Sequence, residues 1–352
     1  MKSLYLIGPS GSGKTALCVG LALKCREAGL KVSYFKPFGA PPGVTNREDE
    51  DAALMKEVLG LPQPLEEIVP FTAGPHFMSR YQKGSPCLSL ITKAYERMRE
   101  GADVVLVGGP PWVYAMASLG LDPVSLAREF GAGALIINKV NHDLALDRMV
   151  YQAASARAAG VDVVGTVCNH VPRELLDKCR AVYSPYVEDR GFKVLGIIPR
   201  RLEIACPTVG EYYDSLGGEL LVGGADMDRL VEDVLVGAMT IESVLSYFRR
   251  SPNKAVITGG DRTDICLAAL ETSTAVLVLT GGLYPNAKVL TRAADQGVPV
   301  LLVNYDTYQT IQRLHDISRR IRPTDERSIA TAKELVDKHC DWETLLGWLR
   351  QG

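Results

Sequence analysis

The chain has 352 residues, 47% of them hydrophobic, long enough for two ordinary domains with cores of their own. With 39 Lys and Arg against 41 Asp and Glu, its formal net charge is −2 and no strongly basic stretch occurs, so nucleic acid is not an expected partner. The longest apolar runs, such as 134–140 and 298–303, are far too short to span a bilayer, and no membrane partner is expected.

The N-terminus, MKSLYLIGPSGSGKT, holds a basic residue and several apolar ones, as a secretory signal does. Glycine interrupts the apolar run at Gly8, so a signal peptide is rejected and a cytoplasmic location expected. Eight cysteines without a CxxC pair or a Cys/His cluster make neither a disulfide framework nor a zinc site. Cys18, Cys168 and Cys266 fall inside apolar patterns and read as small core residues.

Strands are predicted at residues 4–7, 32–35, 104–107, 134–137, 161–167 and 194–198, and helices at 15–28, 51–59, 88–99, 123–130, 144–159 and 173–189. This alternation predicts an α/β fold, a parallel sheet with helices on both faces, and near-continuous Val/Ile/Leu in the strands fits two covered faces. The segment LGGELLVGGADMD, 216–228, carries two Gly pairs and then turns polar. A boundary is placed there, giving a nucleotide-binding domain over 1–222 and a smaller α/β domain over 223–352. The second series has strands at 254–257, 275–279 and 298–303, helices at 264–270 and 287–296, and a helical C-terminus from about 324. Near the end, HCDWETLLGWL reads as an amphipathic helix packing Trp342 and Leu345 onto the body.

GPSGSGKT, spanning Gly8, Gly11, Ser12, Gly13, Lys14 and Thr15, matches the Walker A pattern without exception, and it follows a strand and opens a helix as the mechanism requires. Glycines let successive backbone N–H groups point at phosphate oxygens, and the helix N-terminus adds partial positive charge. Lys14 is placed to reach the β- and γ-phosphates of a nucleotide such as ATP, and the Thr15 hydroxyl to hold Mg²⁺.

The next strand ends VSYFKPFGAPP, which puts Lys36 before a proline-stiffened turn at the carboxyl edge of the sheet, where ligands bind in open parallel sheets. A solvated lysine is the plain alternative. NREDEDAALMKEVLGL then starts a helix behind an acidic cluster, with Asp49 or Asp51 as N-cap or as a metal ligand. The third strand, in DVVLVGGPPW, ends on Gly108 and Gly109, where a nucleotide-cleaving enzyme keeps a metal-binding carboxylate. No nearby acid in GGPPWVYAM compensates, which favours holding a nucleotide over cleaving it.

A first-strand P-loop, Lys36-Pro37 after the second strand and Asp51-Ala52 opening the following helix resemble the dethiobiotin synthetase-like P-loop family, in particular the N-terminal region of long-form phosphate acetyltransferases. VVLVGG at 104–109, VVGTVCNHV at 163–171 and KVLGIIP at 193–199 agree in order. The resemblance implies that Lys14, Thr15, Lys36 and Asp51 face the phosphates, Mg²⁺ and any carboxylate substrate, with Asn169 near the base. It also implies that Gly108 stands where the dethiobiotin synthetases keep a Mg²⁺-binding glutamate. ITGGDRTDICLAALETSTAVLVLTGG, 257–282, resembles the DRTGG module of those long enzymes, which implies a regulatory role. Their acetyltransferase domain is not among these residues.

VITGGD at 256–261 and VLTGGL at 278–283 are local echoes, each a strand running into Thr-Gly-Gly. One reading is a helix-capping turn, with Asp261 and Asp264 as a capping-box-like pair. The other is that Gly259, Gly260, Asp261, Arg262, Thr263, Gly281 and Gly282 converge at a sheet edge and bind an anionic effector through N–H groups and Arg262. His142, His170 and His315 read as surface or loop residues, and Arg249-Arg250 and Arg319-Arg320 as solvated helix faces.

The expected function is a nucleotide-binding regulatory or sensor protein with little or no turnover. The alternative is an ATP-dependent carboxylate-activating ligase resembling dethiobiotin synthetase or cobyrinate a,c-diamide synthase, with Lys14 and Lys36 catalytic. A third reading is a scaffold that keeps the nucleotide as a structural ligand. The oligomeric state, a homo-oligomer included, is left open.

Overall fold

The runs of Val, Ile and Leu bury almost completely: Val104, Val105, Leu106 and Val107 are wholly inaccessible, as are Leu4, Tyr5 and Leu6. They form β1 (Lys2–Ile7), β2 (Val32–Phe35), β3 (Val104–Gly108), β4 (Gly133–Lys139), β5 (Val163–Val171) and β6 (Val194–Pro199). The computed structural model describes residues 1–39, 49–72, 77–80, 86–224, 226–315, 317 and 321–351; the expected turn at Pro41-Pro42 and the pair Arg319-Arg320 lie outside them. Among the described residues the six strands make one parallel sheet in the order β2-β3-β1-β4-β5-β6. Because β1 is flanked by β3 on one side and β4 on the other, the chain reverses direction across it. The carboxyl end of β1 is thus a topological switch point, where open α/β sheets bind ligands.

Helix α1 (Lys14–Glu27) follows β1, and α2 (Glu50–Leu59) follows β2. Cys18, Cys168 and Cys266 are buried, as their apolar surroundings predict. Among the described residues no helix is long and apolar enough to cross a membrane.

Packing divides the chain into two units, Met1–Arg201 with Ile321–Gly352, and Leu202–Arg320. This differs from the expected break at 222/223 at both ends. Residues 219–222, assigned to the end of the first domain, form β7 (Glu219–Val222), antiparallel to β11 (Val300–Leu302). The preceding helix, Val209–Leu216, starts on a complete capping box between Thr208 and Glu211 and packs Val209, Tyr212 and Leu216 into the core of the second unit. At the other end, the helix Glu326–His339 lies directly on α1. Gly20 makes this approach possible, since a Cβ there would stand 2.5 Å from the Ala332 carbonyl and from Val336. The last helix, Trp342–Arg350, buries Leu345 and Leu349, and Trp348 Nε1 donates to Asp162 at 2.9 Å. Its apolar seating agrees with the amphipathic pattern, Leu345 being deeper than Trp342.

The second unit's sheet, among the described residues, runs β7-β11-β10-β9-β8, with β8 (Asp233–Val236), β9 (Lys254–Gly259) and β10 (Thr274–Thr280) parallel to β11. The two edge strands β7 and β8 were not anticipated. Each is a four-residue strand of one acidic and three apolar residues, left partly exposed where β9 and β10 are almost wholly buried.

Leu345→Ala is expected to destabilise the P-loop unit by about 2–5 kcal/mol, the usual cost of emptying a buried leucine site. Calorimetry should show its transition falling while that of the second unit stays put; the reverse pattern would place the C-terminal helices with the second unit.

Candidate functional site

The turn between β1 and α1 has the backbone a phosphate cradle needs. Gly11 and Gly13 take left-handed conformations (φ 66° and 82°), which only glycine adopts without strain. Gly13 is the N-cap of α1 with no side-chain cap, and the first turn contains no acidic residue, so the helix N-terminus is open to an anion. Lys14 Nζ donates to the carbonyls of Gly8 at 2.7 Å and Pro9 at 2.9 Å. Burial pushes the Lys14 amine down to about 8, Asp51 opposing the fall and Lys36 adding to it.

Neighbouring strands fix the loop. A Cβ on Gly8 would meet the Ile137 carbonyl of β4 at 2.1 Å, and one on Gly13 would meet Asn169 Nδ2 of β5 at 2.2 Å. Asn169 Nδ2 donates to Ser12 O at 2.8 Å, and Asn169 Oδ1 accepts from the His170 amide at 2.9 Å. The Asn169 side chain therefore holds the loop. His170, expected on the surface or in a loop, lies in β5 and is buried instead: it has φ 51° and its ring edge lies against Gly13. Burial, then the charges of Lys139 and Arg200, push its imidazole down to about 4. His142 is exposed, and the side chain of His315 lies outside the described residues.

Thr15, Asp51, Lys36 and Asp49 form one connected cluster. Thr15 Oγ1 donates to Asp51 Oδ1 at 2.8 Å, and Lys36 Nζ bridges Asp51 Oδ2 at 2.7 Å and Asp49 Oδ1 at 2.9 Å. Asp49 is the N-cap of α2, accepting from Ala52 N at 3.0 Å, which leaves Asp51 for the site. With 8% of its side chain exposed, Lys36 is no solvated lysine; Asp49 is 12% exposed and Asp51 40%, so Asp51 is the carboxylate that faces outward. Asp51 is exposed only in part, both its oxygens being engaged within the cluster, so burial still pushes its carboxyl up, but the Lys36 charge and the hydrogen bonds from Lys36 and Thr15 outweigh this and hold it below the usual carboxylate range. Lys36 loses by burial and gains more from Asp51 and Asp49, and stays above the ordinary lysine value.

This donor set fits a nucleotide with Mg²⁺. An open helix N-terminus and a lysine suit phosphates, while a hydroxyl and an outward carboxylate sharing one hydrogen bond suit a hard cation that keeps several waters. Among the described residues no group of three or more His, Cys, Asp or Glu gathers to hold a metal without such help. The two glycines ending β3 have steric reasons: a Cβ on Gly108 would stand 2.2 Å from the Tyr34 hydroxyl, and one on Gly109 2.4 Å from the Leu6 carbonyl. Tyr34 was not singled out from the sequence, where it reads as one more aromatic strand residue.

In the second unit, Thr280 is registered beside Gly259, so the two Thr-Gly-Gly loops do meet at one sheet edge. Their chemistry differs from the expectation. Gly281 and Gly282 N–H groups donate to Tyr305 O at 2.7 Å and Val303 O at 2.9 Å, so they are turned inward, away from any anion. Gly260 is a close-approach residue, its Cα so near the Leu283 carbonyl that a Cβ would stand 1.6 Å away. Asp261 does not cap the following helix, Thr263–Leu270; Arg262 occupies the N-cap position without a side-chain cap. Asp264 instead pairs with Arg262 through Nε and Nη2, both at 3.1 Å, and Arg262 also donates to Met239 O at 3.3 Å.

The family model described as an AAA domain matches residues 2–208. The chain belongs to the AAA domain family. A DRTGG domain model matches residues 211–317. The phosphate acetyltransferase of Nitratidesulfovibrio vulgaris is 27% identical over 96% of this chain and 50% of its own length, and that of Pseudomonas putida 27% identical over 99% and 51%. The chain thus spans about half the length of these relatives. Among solved structures, the MinD cell division protein of Aquifex aeolicus covers 57% of this chain and 83% of its own (TM-score 0.37, 16% identity). The CBS and DRTGG domains of Clostridium perfringens pyrophosphatase, complexed with the activator diadenosine tetraphosphate, cover 37% and 60% (TM-score 0.27, 18% identity).

His170 makes the P-loop unit sensitive to acid. Its folded value near 4 lies below the ordinary 6.5, so its contribution is complete above about pH 6.5 and is lost as pH falls toward 4. A melting temperature that drops between pH 7 and pH 5, and drops less in His170→Asn, is the expected result; asparagine tolerates the left-handed backbone. Equal losses in both proteins would remove His170 from the account.

Proposed function

We propose that this protein is a cytoplasmic nucleotide-binding regulatory protein that holds ATP with Mg²⁺ at the P-loop and turns it over little or not at all. The observation that carries the reading is the P-loop itself: two left-handed glycines, an uncapped helix N-terminus and Lys14 folded back over the loop, with the Thr15–Asp51 pair beside it. In this reading the backbone N–H groups and Lys14 bind the phosphates, and Thr15 and Asp51 hold the metal. Lys36 balances the two aspartates, and Asn169 keeps the loop in shape on the base side. Mg²⁺ supplies charge neutralisation across the phosphates when bound. Phosphoryl transfer depends on positioned charge, and β3 ends in Gly108 with no acid to offer. For the ligase alternative, Lys36 would have to serve a substrate carboxylate, yet both its described partners are aspartates of its own chain. The first Thr-Gly-Gly loop, Gly259 to Thr263 with Arg262, is the proposed place for an anionic effector, reached when Arg262 exchanges Asp264 for the ligand.

Lys14→Ala should weaken ATP binding at least tenfold, about 1.4 kcal/mol, a modest loss for a charge-assisted phosphate contact. Isothermal calorimetry giving equal affinities for the two proteins would overturn the site. Phosphate release by the natural protein with Mg²⁺ is expected well below roughly 1 s⁻¹, the low end of ordinary enzymatic turnover; a rate at or above that value would make it an enzyme.

A further inference from the structure

Position 108 closes β3, which lies between β2 and β1 in the sheet. Its neighbours at that edge are therefore Lys36, which follows β2, and the phosphate loop, which follows β1. P-loop proteins take Mg²⁺ between the loop's Ser or Thr and an acid presented from another strand, so a carboxylate rooted at 108 would be well placed to join Thr15 and Asp51. The space it needs is filled. A Cβ at 108 would stand 2.2 Å from the Tyr34 hydroxyl, 2.9 Å from its Cζ and 3.2 Å from its Cε2. Tyr34 is only 2% exposed and comes from the middle of β2, opposite Leu106, so its ring is held by the sheet and is no flexible tip that could swing aside. Gly108 itself is an ordinary strand residue without a left-handed backbone. The obstacle to a side chain there is thus purely steric.

We infer that Tyr34 is a specificity-determining residue of the phosphate site: its neutral phenol occupies the volume through which a carboxylate from position 108 would reach the metal. The site then offers a divalent ion one outward acid, Asp51, with Thr15 and water completing the coordination. This rests on the reading that the P-loop holds a nucleotide with Mg²⁺. It adds that residues 34 and 108 share one volume, so that the bulky phenol at 34 is compatible only with glycine at 108.

A double-mutant cycle tests the shared volume. Gly108→Ala should lower the melting temperature by roughly several degrees through overpacking, and the same change should cost much less in a Tyr34→Val background. Gly108→Ala melting like the natural protein, or costs that simply add, would overturn the inference. Calorimetry then tests the metal. Tyr34→Val/Gly108→Glu should make ATP affinity more dependent on Mg²⁺ than in the natural protein, by on the order of tenfold, since a second carboxylate stands near a divalent charge. An unchanged Mg²⁺ dependence in a folded variant that still binds ATP would also overturn it. If the natural protein fails to bind ATP at all, the nucleotide reading falls, while the melting cycle still reports whether 34 and 108 compete for one space.

Discussion

The phosphate loop is wedged between two strands that it does not belong to. Gly8 lies against the Ile137 carbonyl of β4, and Gly13 against the Asn169 amide of β5, at separations that leave no room for a methyl group. Asn169 then ties Ser12 O down at 2.8 Å. The direction in which α1 leaves the loop, the reach of Lys14 and the placing of Thr15 beside Asp51 all follow from this wedge. Because the contacts are to backbone and to a buried side chain in a close-packed sheet, the loop has little freedom to relax.

Charge is arranged on top of that geometry. Lys36 sits between Asp49 and Asp51 at 2.9 and 2.7 Å, with most of its surface removed from water. A lone buried lysine would be costly, and two carboxylates make it tolerable. Division of labour between the acids follows from helix capping. Asp49 is bound to the first turn of α2, so only Asp51 is turned outward. The outward acid is also the one that Thr15 touches.

Much of this was legible in the sequence. Each of the six predicted strands of the first sheet is present, because buried parallel strands leave short apolar runs rich in β-branched residues and bounded by turn signals. The P-loop was legible for a different reason: residue type and spacing carry the phosphate chemistry directly, whereas Lys36 and Asp51 were drawn to the site by the resemblance and left open by the residues alone. What escaped the sequence was set by contacts between distant segments. Tyr34 meets position 108 only through the pairing of β2 with β3, and His170 is buried in β5 with its ring edge against Gly13, contacts between segments far apart in the chain. β7 is only four residues long, lies between glycine pairs, and forms its ladder with β11, some eighty residues on. The inward turn of the Gly281 and Gly282 N–H groups depends on carbonyls at Tyr305 and Val303 that no local motif announces.

The seating of the helix Glu326–His339 on α1 bears on how the chain is made. The P-loop unit is discontinuous, its last two helices following the whole of the second unit. On a ribosome, the segment Leu202–Arg320 emerges complete while the surface of α1 around Gly20 still lacks its cover. The inserted unit can close first, and the unit synthesised first closes last. Until then the incomplete P-loop unit exposes the apolar surface that Val336 and Leu345 later bury.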